Sequence, residues 1–235
     1  MYGHYDIPLK IEEEGICLSV QKDGDSLVYK RDCLEEHVEK RLLATEGRVL
    51  LNPVEPLNKP KALSSYLLVE FERGLVVEPK GTKRIFLTFP IEIAAYISLD
   101  KDFEVIDIFT LARQKFALYG DPRNGVICKH WKSDVYAAIP SLNLLREGVM
   151  ELTVANTNPQ WVELTKAVFN AYGMKLYYSD TVASMKARIS LKTGSTGETD
   201  FVDSPLKDGM NKSLEVYTVR RLSITSTKFV MEFGL

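Results

Sequence analysis

Two pairs of cysteine and histidine residues have the types and spacing that could hold a metal ion. Cys33 and His37 are four positions apart, so on a helix they would lie on one face. Cys128 and His130 are two positions apart, so on a strand they would also share a face. Thiolate sulfur and imidazole nitrogen are ligands that zinc prefers, and together these side chains would complete a tetrahedral shell.

The same residues have a plainer explanation. Their spacing lacks the CxxC pairs of most structural zinc sites. Free cysteine is typically buried like a small hydrophobic residue, and histidine is typically a partly buried polar residue. We therefore expect no cofactor and keep zinc as the alternative.

Acid–base chemistry would need carboxylates that lie close together. Glu70, Glu72, Glu78 and Glu92 fall on neighbouring predicted strands and are the candidates. Outward glutamates that alternate with inward apolar residues also build an ordinary solvated sheet face, and we favour this interpretation. No GxSxG motif accompanies the three histidines, which argues against a serine hydrolase.

Aromatic side chains in the last third of the chain could form an interaction surface. The candidates are Trp161, Tyr172, Tyr177 and Tyr178. If exposed, they would offer a platform for a sugar or a protein. Burial in a sandwich core is the default for aromatic residues on strands.

Composition narrows the classes of partner and compartment. The net charge of −2 gives no overall field for nucleic acid, although Lys129 and Lys132 flank Trp131. No segment approaches the roughly 18 apolar residues of a membrane span, and the first residues do not resemble a signal peptide. We expect a cytoplasmic protein with three free thiols that binds neither nucleic acid nor membrane.

The elements that must position these residues are mostly strands. Residues 74–98 show the clearest period-two alternation, and turn residues separate similar segments along the chain. Near residues 33–44, Asp32 and Glu35 resemble a capping box, and Leu34, Val38 and Leu42 recur every four positions. This pattern predicts one short helix.

Turn chemistry predicts the connections. Asp23, Gly24 and Asp25 predict a hairpin turn between segments 16–20 and 27–29. Lys80, Gly81 and Thr82 predict a second hairpin turn. The three prolines in residues 51–60 predict an extended surface connection that cannot be a central strand.

The predicted fold is mainly β, with two antiparallel β-sandwich or barrel-like domains. A composition change near residues 140–148 places the boundary between an N-terminal domain, 1–140, and a C-terminal domain, 141–235. The segments 151–156 and 161–165, joined by an Asn-rich turn, resemble an immunoglobulin-like or fibronectin-like sandwich, although the Cys/Trp/Cys core marker of antibody domains is absent.

The whole chain also resembles an uncharacterised archaeal family of unknown function. The segments that carry this resemblance are 74–79 with 89–93, 118–120 with 125–127, and 156–178. The resemblance implies a predominantly β fold and no particular activity.

Two functions follow from these observations. The first is a non-enzymatic binding or scaffolding protein that presents loops or an inter-domain groove to a protein or small ligand, as a monomer or a homo-oligomer. The alternative is a zinc-dependent or carboxylate-based enzyme with its site in that groove. Convergent polar groups in a cleft would favour the enzyme, and an exposed apolar patch would favour the binding protein.

Overall fold

The computed structural model describes residues 1–60, 63–99, 102–219 and 227–234. Within these residues the fold is mainly β, as predicted, and nineteen strands form four sheets. The described helical segments are a 3₁₀ turn, Ala171–Gly173, and a short helix α1, Val216–Val219.

Sheets A and B form the first sandwich, and strands are numbered in chain order. Sheet A contains, side by side, β1 (Gly3–Asp6), β6 (Arg48–Val54), β9 (Glu92–Leu99) and β10 (Asp102–Phe109). Sheet B contains the consecutive strands β2 (Leu9–Glu13), β3 (Ile16–Asp23), β4 (Ser26–Cys33) and β5 (Glu36–Leu42). Alternation along β3 turns Ile16, Leu18 and Val20 inward, into one core with Val49 and Leu51 of β6.

Sheets C and D form the second sandwich. Sheet C contains, in spatial order, β11 (Phe116–Tyr119), β12 (Val126–Ser133), β7 (Tyr66–Val77) and β14 (Val162–Asn170). Sheet D contains β18 (Asn211–Lys212), β15 (Tyr177–Tyr178), β16 (Ala183–Leu191), β13 (Glu147–Asn156) and β8 (Thr82–Pro90). In addition, β17 (Gly197–Val202) pairs with β16, and β19 (Phe229–Met231) pairs with β17. Their shared core includes Leu67, Leu87, Leu152 and Phe169.

The chain passes between the two sandwiches several times. Only Ile91 separates β8 of sheet D from β9 of sheet A. Later in the chain, β13 returns to pair with β8, and β14 returns to pair with β7. Strands from both sides of residue 140 therefore share sheets C and D, and the sheets do not divide at that residue.

The prediction of a helix near residues 33–44 is wrong. This segment is the end of β4, a tight turn at Leu34 and Glu35, and the edge strand β5. A spacing of four is a multiple of two, so Val38 and Leu42 recur on one face of a strand as well as of a helix. Because this segment pairs with β4, it is a strand with a period of two and not a helix.

Two further predictions about connections need correction. β6 includes Pro53 and lies between β1 and β9, so part of residues 51–60 is a central strand. β1 pairs only with the residues from Arg48 to Leu51, so a proline is tolerated where one edge of β6 has no partner strand. The turn at Lys80 exists, but β7 and β8 lie in different sheets, so it joins sheets C and D rather than closing a hairpin.

Most strand pairs are antiparallel, as predicted, and the first hairpin pairs β3 with β4 around Gly24 as expected. The parallel pairs are β7 with β12 and β13 with β16. None of the helices described has the length and apolar character that crossing a membrane would require.

Candidate functional site

A buried ion pair joins the two sandwiches. Lys129 Nζ on β12 lies 2.9 Å from Glu92 Oε1, where Glu92 is the first residue of β9. The two side chains are only 2% and 1% exposed. Buried ions need several hydrogen bonds to offset lost hydration, and this pair has them.

The connection after β6 supplies those hydrogen bonds. The backbone amides of Asn58 and Lys59 donate to Glu92 at 2.8 and 3.1 Å. Lys129 Nζ donates to the carbonyl of Lys59 at 2.8 Å. The ion pair thus fixes the backbone of Lys59 at the junction of the sandwiches.

Burial changes the protonation of this junction. It raises the pKa of Glu92 and lowers the pKa of Lys129, while the contact between the two favours both charged forms. Nearby Glu55 is also buried, and burial together with the charges of Glu92 and Glu215 raises its pKa to about 8.

A cleft of about 580 Å³ opens beside Lys59, and we call it the junction cleft. It lies between the β4–β5 turn and the segment that follows β10. Its lining residues are Cys33, Leu34, Glu35, Glu36, Lys59, Thr110, Leu111, Ala112, Arg113 and Gln114. The volume lies within the usual range for small-molecule sites.

Charged groups converge on one wall of the junction cleft. Glu36 Oε2 lies 3.2 Å from Arg31 Nη2 and 3.3 Å from Lys59 Nζ. Arg31 is fully buried behind this wall, and its Nε lies 2.6 Å from Asp107 Oδ2. The guanidinium also lies over the ring of Phe109, 4.9 Å from its centre.

Two buried polar atoms at this wall lack a hydrogen-bond partner among the residues that the structure describes. One is Nη1 of Arg31, a residue that is not in the cleft lining but contacts Glu36 there, and the other is Oε1 of Gln114, which lines the cleft. The amide nitrogen of Gln114 is satisfied, since Nε2 donates to the carbonyl of Ala112 at 2.9 Å. A spare donor and a spare acceptor therefore lie beside the same cleft.

Cys33 contributes a thiol to the cleft but not a ready nucleophile. Burial raises the pKa of this thiol, although the neighbouring Arg31 opposes the effect. The thiol form is the poor nucleophile, so this environment does not activate Cys33 for covalent chemistry.

The residues of the predicted zinc site do not meet. Cys33 lies in the core of the first sandwich and Cys128 in the core of the second. His37 Nδ1 is 2.5 Å from Asp32, and His130 Nε2 is 2.9 Å from Glu70. In the described part of the chain, no group of three or more His, Cys, Asp or Glu residues could hold a metal ion.

The predicted aromatic surface is also dispersed. Trp161 is 65% exposed, whereas Tyr177 and Tyr178 are buried. Tyr178 packs edge to face on Tyr2, and Tyr172 packs in the same way on Tyr217. Of these four residues, Trp161 is exposed, Tyr172 is half-buried, and the two tyrosines of β15 are buried.

Three of the four candidate carboxylates lie at the surface, as a solvated sheet face requires. Glu70, Glu72 and Glu78 pair there with His130, Lys132 and Lys83. Glu92 differs, because it is buried at the junction.

Sequence reasoning missed Arg31, Lys59 and Gln114. Alternation offered one signal, since Arg31 continues the inward row of Leu27 and Tyr29 and is followed by Cys33. No local signal marks Lys59 or Gln114, which reach the cleft from connecting segments.

Comparison with known proteins places the chain in a family. Residues 1–232 match the family model described as Protein of unknown function (DUF432). The chain belongs to this family. The resemblance to an uncharacterised family is thereby confirmed. No curated protein and no solved structure matches the chain.

Proposed function

We propose that this DUF432 protein is a non-enzymatic binding protein whose ligand occupies the junction cleft. The ligand class that the cleft favours is a small organic molecule with an oxyanion group, carboxylate or phosphate, and at least one hydrogen-bond donor. Its apolar part would contact Leu34, Leu111 and Ala112.

Arg31 is the observation that carries this proposal. A buried N–H without an acceptor costs about 1–3 kcal/mol, so fully buried donors are seldom left unpaired. Arg31 Nη1 is such a donor, and Arg31 contacts Glu36 of the cleft lining. Arg31 is not itself in the cleft lining, so a ligand oxygen would complete its hydrogen bonds only if the Glu36 side chain, which is 58% exposed, moved aside.

The remaining charges support the same ligand class. Arg31 and Lys59 compensate the carboxylate of Glu36. Arg113 is exposed at the rim and forms no ion pair with any described residue, and the lining also contains the exposed acid Glu35, so the positive charge available to a ligand there is that of Arg113 alone. Gln114 Oε1 would accept from a donor on the ligand.

Glu55 keeps a second candidate function open, the carboxylate-based enzyme. A carboxyl group whose pKa is raised to about 8 holds a proton near neutral pH, as a general acid must. Glu55 is 4% exposed and is not among the residues that line the cleft. Catalysis would therefore require a movement that exposes it, and we favour binding.

Isothermal titration calorimetry with a matched compound panel tests the proposal. Thermal-shift screening would first compare small carboxylates and phosphates with their neutral amides, and titration would follow for any hit. We expect Arg113→Ala to weaken the affinity for an anionic hit by about 10- to 100-fold, the worth of one charged hydrogen bond.

Lys30→Ala is the matched control. Lys30 lies on β4 but pairs with Glu39 at 3.0 Å, away from the cleft lining, so its loss should leave the affinity unchanged. Equal stabilisation by neutral and anionic compounds, or equal effects of the two substitutions, would overturn the proposed ligand class.

A further inference from the structure

We propose that two copies of this chain form a symmetric dimer by antiparallel pairing of their β11 strands. β11 is the edge of sheet C in the spatial order β11-β12-β7-β14. Edge strands carry unpaired backbone groups that a second strand can bind. This inference is independent of the proposed function.

The hydrogen-bond ladder between β11 and β12 shows which backbone N–H and C=O groups of β11 have no partner among the described residues. His130 N donates to the carbonyl of Lys115 at 2.9 Å, and these residues continue the antiparallel register in which Phe116 faces Lys129. Because bonded and non-bonded pairs alternate, Ala117 and Tyr119 bond to β12. The N–H and C=O groups of Phe116 and Leu118 therefore point toward the open edge.

An exposed apolar row accompanies this edge. Leu118 and Ile127 lie directly opposite each other in the register, and they are 49% and 48% exposed. Leu63, 43% exposed, is next to Ser64, whose hydroxyl donates to the Ile127 carbonyl at 2.5 Å. If the Leu118 residues of two copies paired with each other, the two apolar rows would meet. Each copy would contribute Leu118 and Ile127 to the joined surface.

Charge at the ends of β11 favours a second copy as the occupant. Antiparallel pairing centred on Leu118 brings Lys115 of one copy to the end of the strand where Asp121 of the other lies. Both residues are exposed, and each is three positions from Leu118. The exposed Glu232 lines the same cavity as Asp121 and adds negative charge at that end.

An edge strand of the first sandwich, β5, shows how side chains can protect a sheet edge from pairing. β5 is an edge of sheet B and carries five charged or histidine side chains in seven residues, Glu36, His37, Glu39, Lys40 and Arg41. Charged side chains of this kind discourage edge-to-edge pairing. β11, with the sequence FALY, carries none.

Sedimentation velocity over a concentration series tests the dimer with the full chain. We expect the wild type to dimerise in the range of about 1–50 μM and Leu118→Asp to be monomeric there. Leu43→Asp, at a leucine that is 92% exposed outside sheet C, should dimerise like the wild type.

A charge exchange keeps the test sharp if Leu118→Asp disturbs folding. Lys115→Glu should weaken the dimer at least about fivefold, because it opposes two pairs of like charges, and adding Asp121→Lys should restore much of the affinity. A wild type that stays monomeric to about 200 μM, or a Lys115→Glu dimer of unchanged affinity, would overturn the inference.

Discussion

Lys129 and Glu92 form the contact on which the junction most depends. Removing one member of a buried ion pair leaves the other charge without compensation. We expect Lys129→Met to lower the free energy of unfolding by about 3–5 kcal/mol, measured by urea denaturation. Adding Glu92→Gln should recover part of that loss.

Lys132→Met serves as the control for this prediction. Lys132 is on the same strand but pairs with Glu72 at the surface, at 2.7 Å. Exposed ion pairs contribute roughly 0–1 kcal/mol, so we expect Lys132→Met to lower the free energy of unfolding by no more than about 1 kcal/mol. Similar losses for the two methionine variants would contradict a special role for the buried pair.

Glu55 predicts a pH dependence of stability. Its pKa is raised from 4.5 to about 8 in the folded protein, so the folded state binds more protons than the unfolded state between those values. Stability from this group is therefore full below about pH 4.5 and is lost as the pH rises toward 8. Glu92 has a raised pKa as well and changes stability in the same direction.

Glu55→Gln isolates the contribution of that residue. The amide has nearly the same shape and does not ionise, so we expect a smaller loss of stability between pH 5 and pH 8 than in the wild type. Urea titrations at both pH values measure this difference. An identical pH dependence in the two proteins would show that Glu55 does not titrate in this range.

At the scale of elements, the β4–β5 turn forms one side of the junction cleft. Leu34 adopts a φ of 54° there, in the left-handed region that disfavours residues with a side chain. Glycine relieves this strain, so we expect Leu34→Gly to raise the free energy of unfolding by about 0.5–1 kcal/mol.

Leu43→Gly provides the comparison for this turn. Leu43 is also exposed, but it is not among the residues with a positive φ, so glycine there should bring no gain. Chemical denaturation measures both variants. A stability gain at Leu43 but not at Leu34 would contradict the strain argument.

At the scale of the whole molecule, the second sandwich is assembled from distant parts of the chain, from β7 at residue 66 to β19 at residue 231. A fragment of residues 1–140 would contain β7 and β8 without their partners β14 and β13. The first sandwich lies wholly within residues 3–109, so a fragment of residues 1–140 can keep that sandwich only, and we expect residues 141–235, which lack β7, β8, β11 and β12, to show no cooperative thermal unfolding alone. Co-expression should restore a complex that melts like the intact protein.

Circular dichroism on the separate and co-expressed fragments makes this measurement. The expectation follows from burial, because β13 and β14 turn residues such as Met150, Leu152 and Phe169 into the second core. A cooperative transition in residues 141–235 alone would instead support a domain boundary at that position.

Local chemistry explains the parts of the fold that were predictable. Gly24, with a φ of 57°, closes the first hairpin as its flanking aspartates suggested, and alternation correctly indicated a mainly β protein. The same local reasoning failed at residues 33–44, because a four-residue spacing satisfies both a helix and a strand.

The sequence by itself determined the class of fold, the inward rows of most strands and the position of many turns, since these depend on neighbouring residues. Only the tertiary structure decided that Glu92 is buried against Lys129, 37 positions away, and that Glu36, Lys59 and Gln114 meet at one cleft. Pairing between distant strands sets these contacts, and no local pattern records which strands will pair.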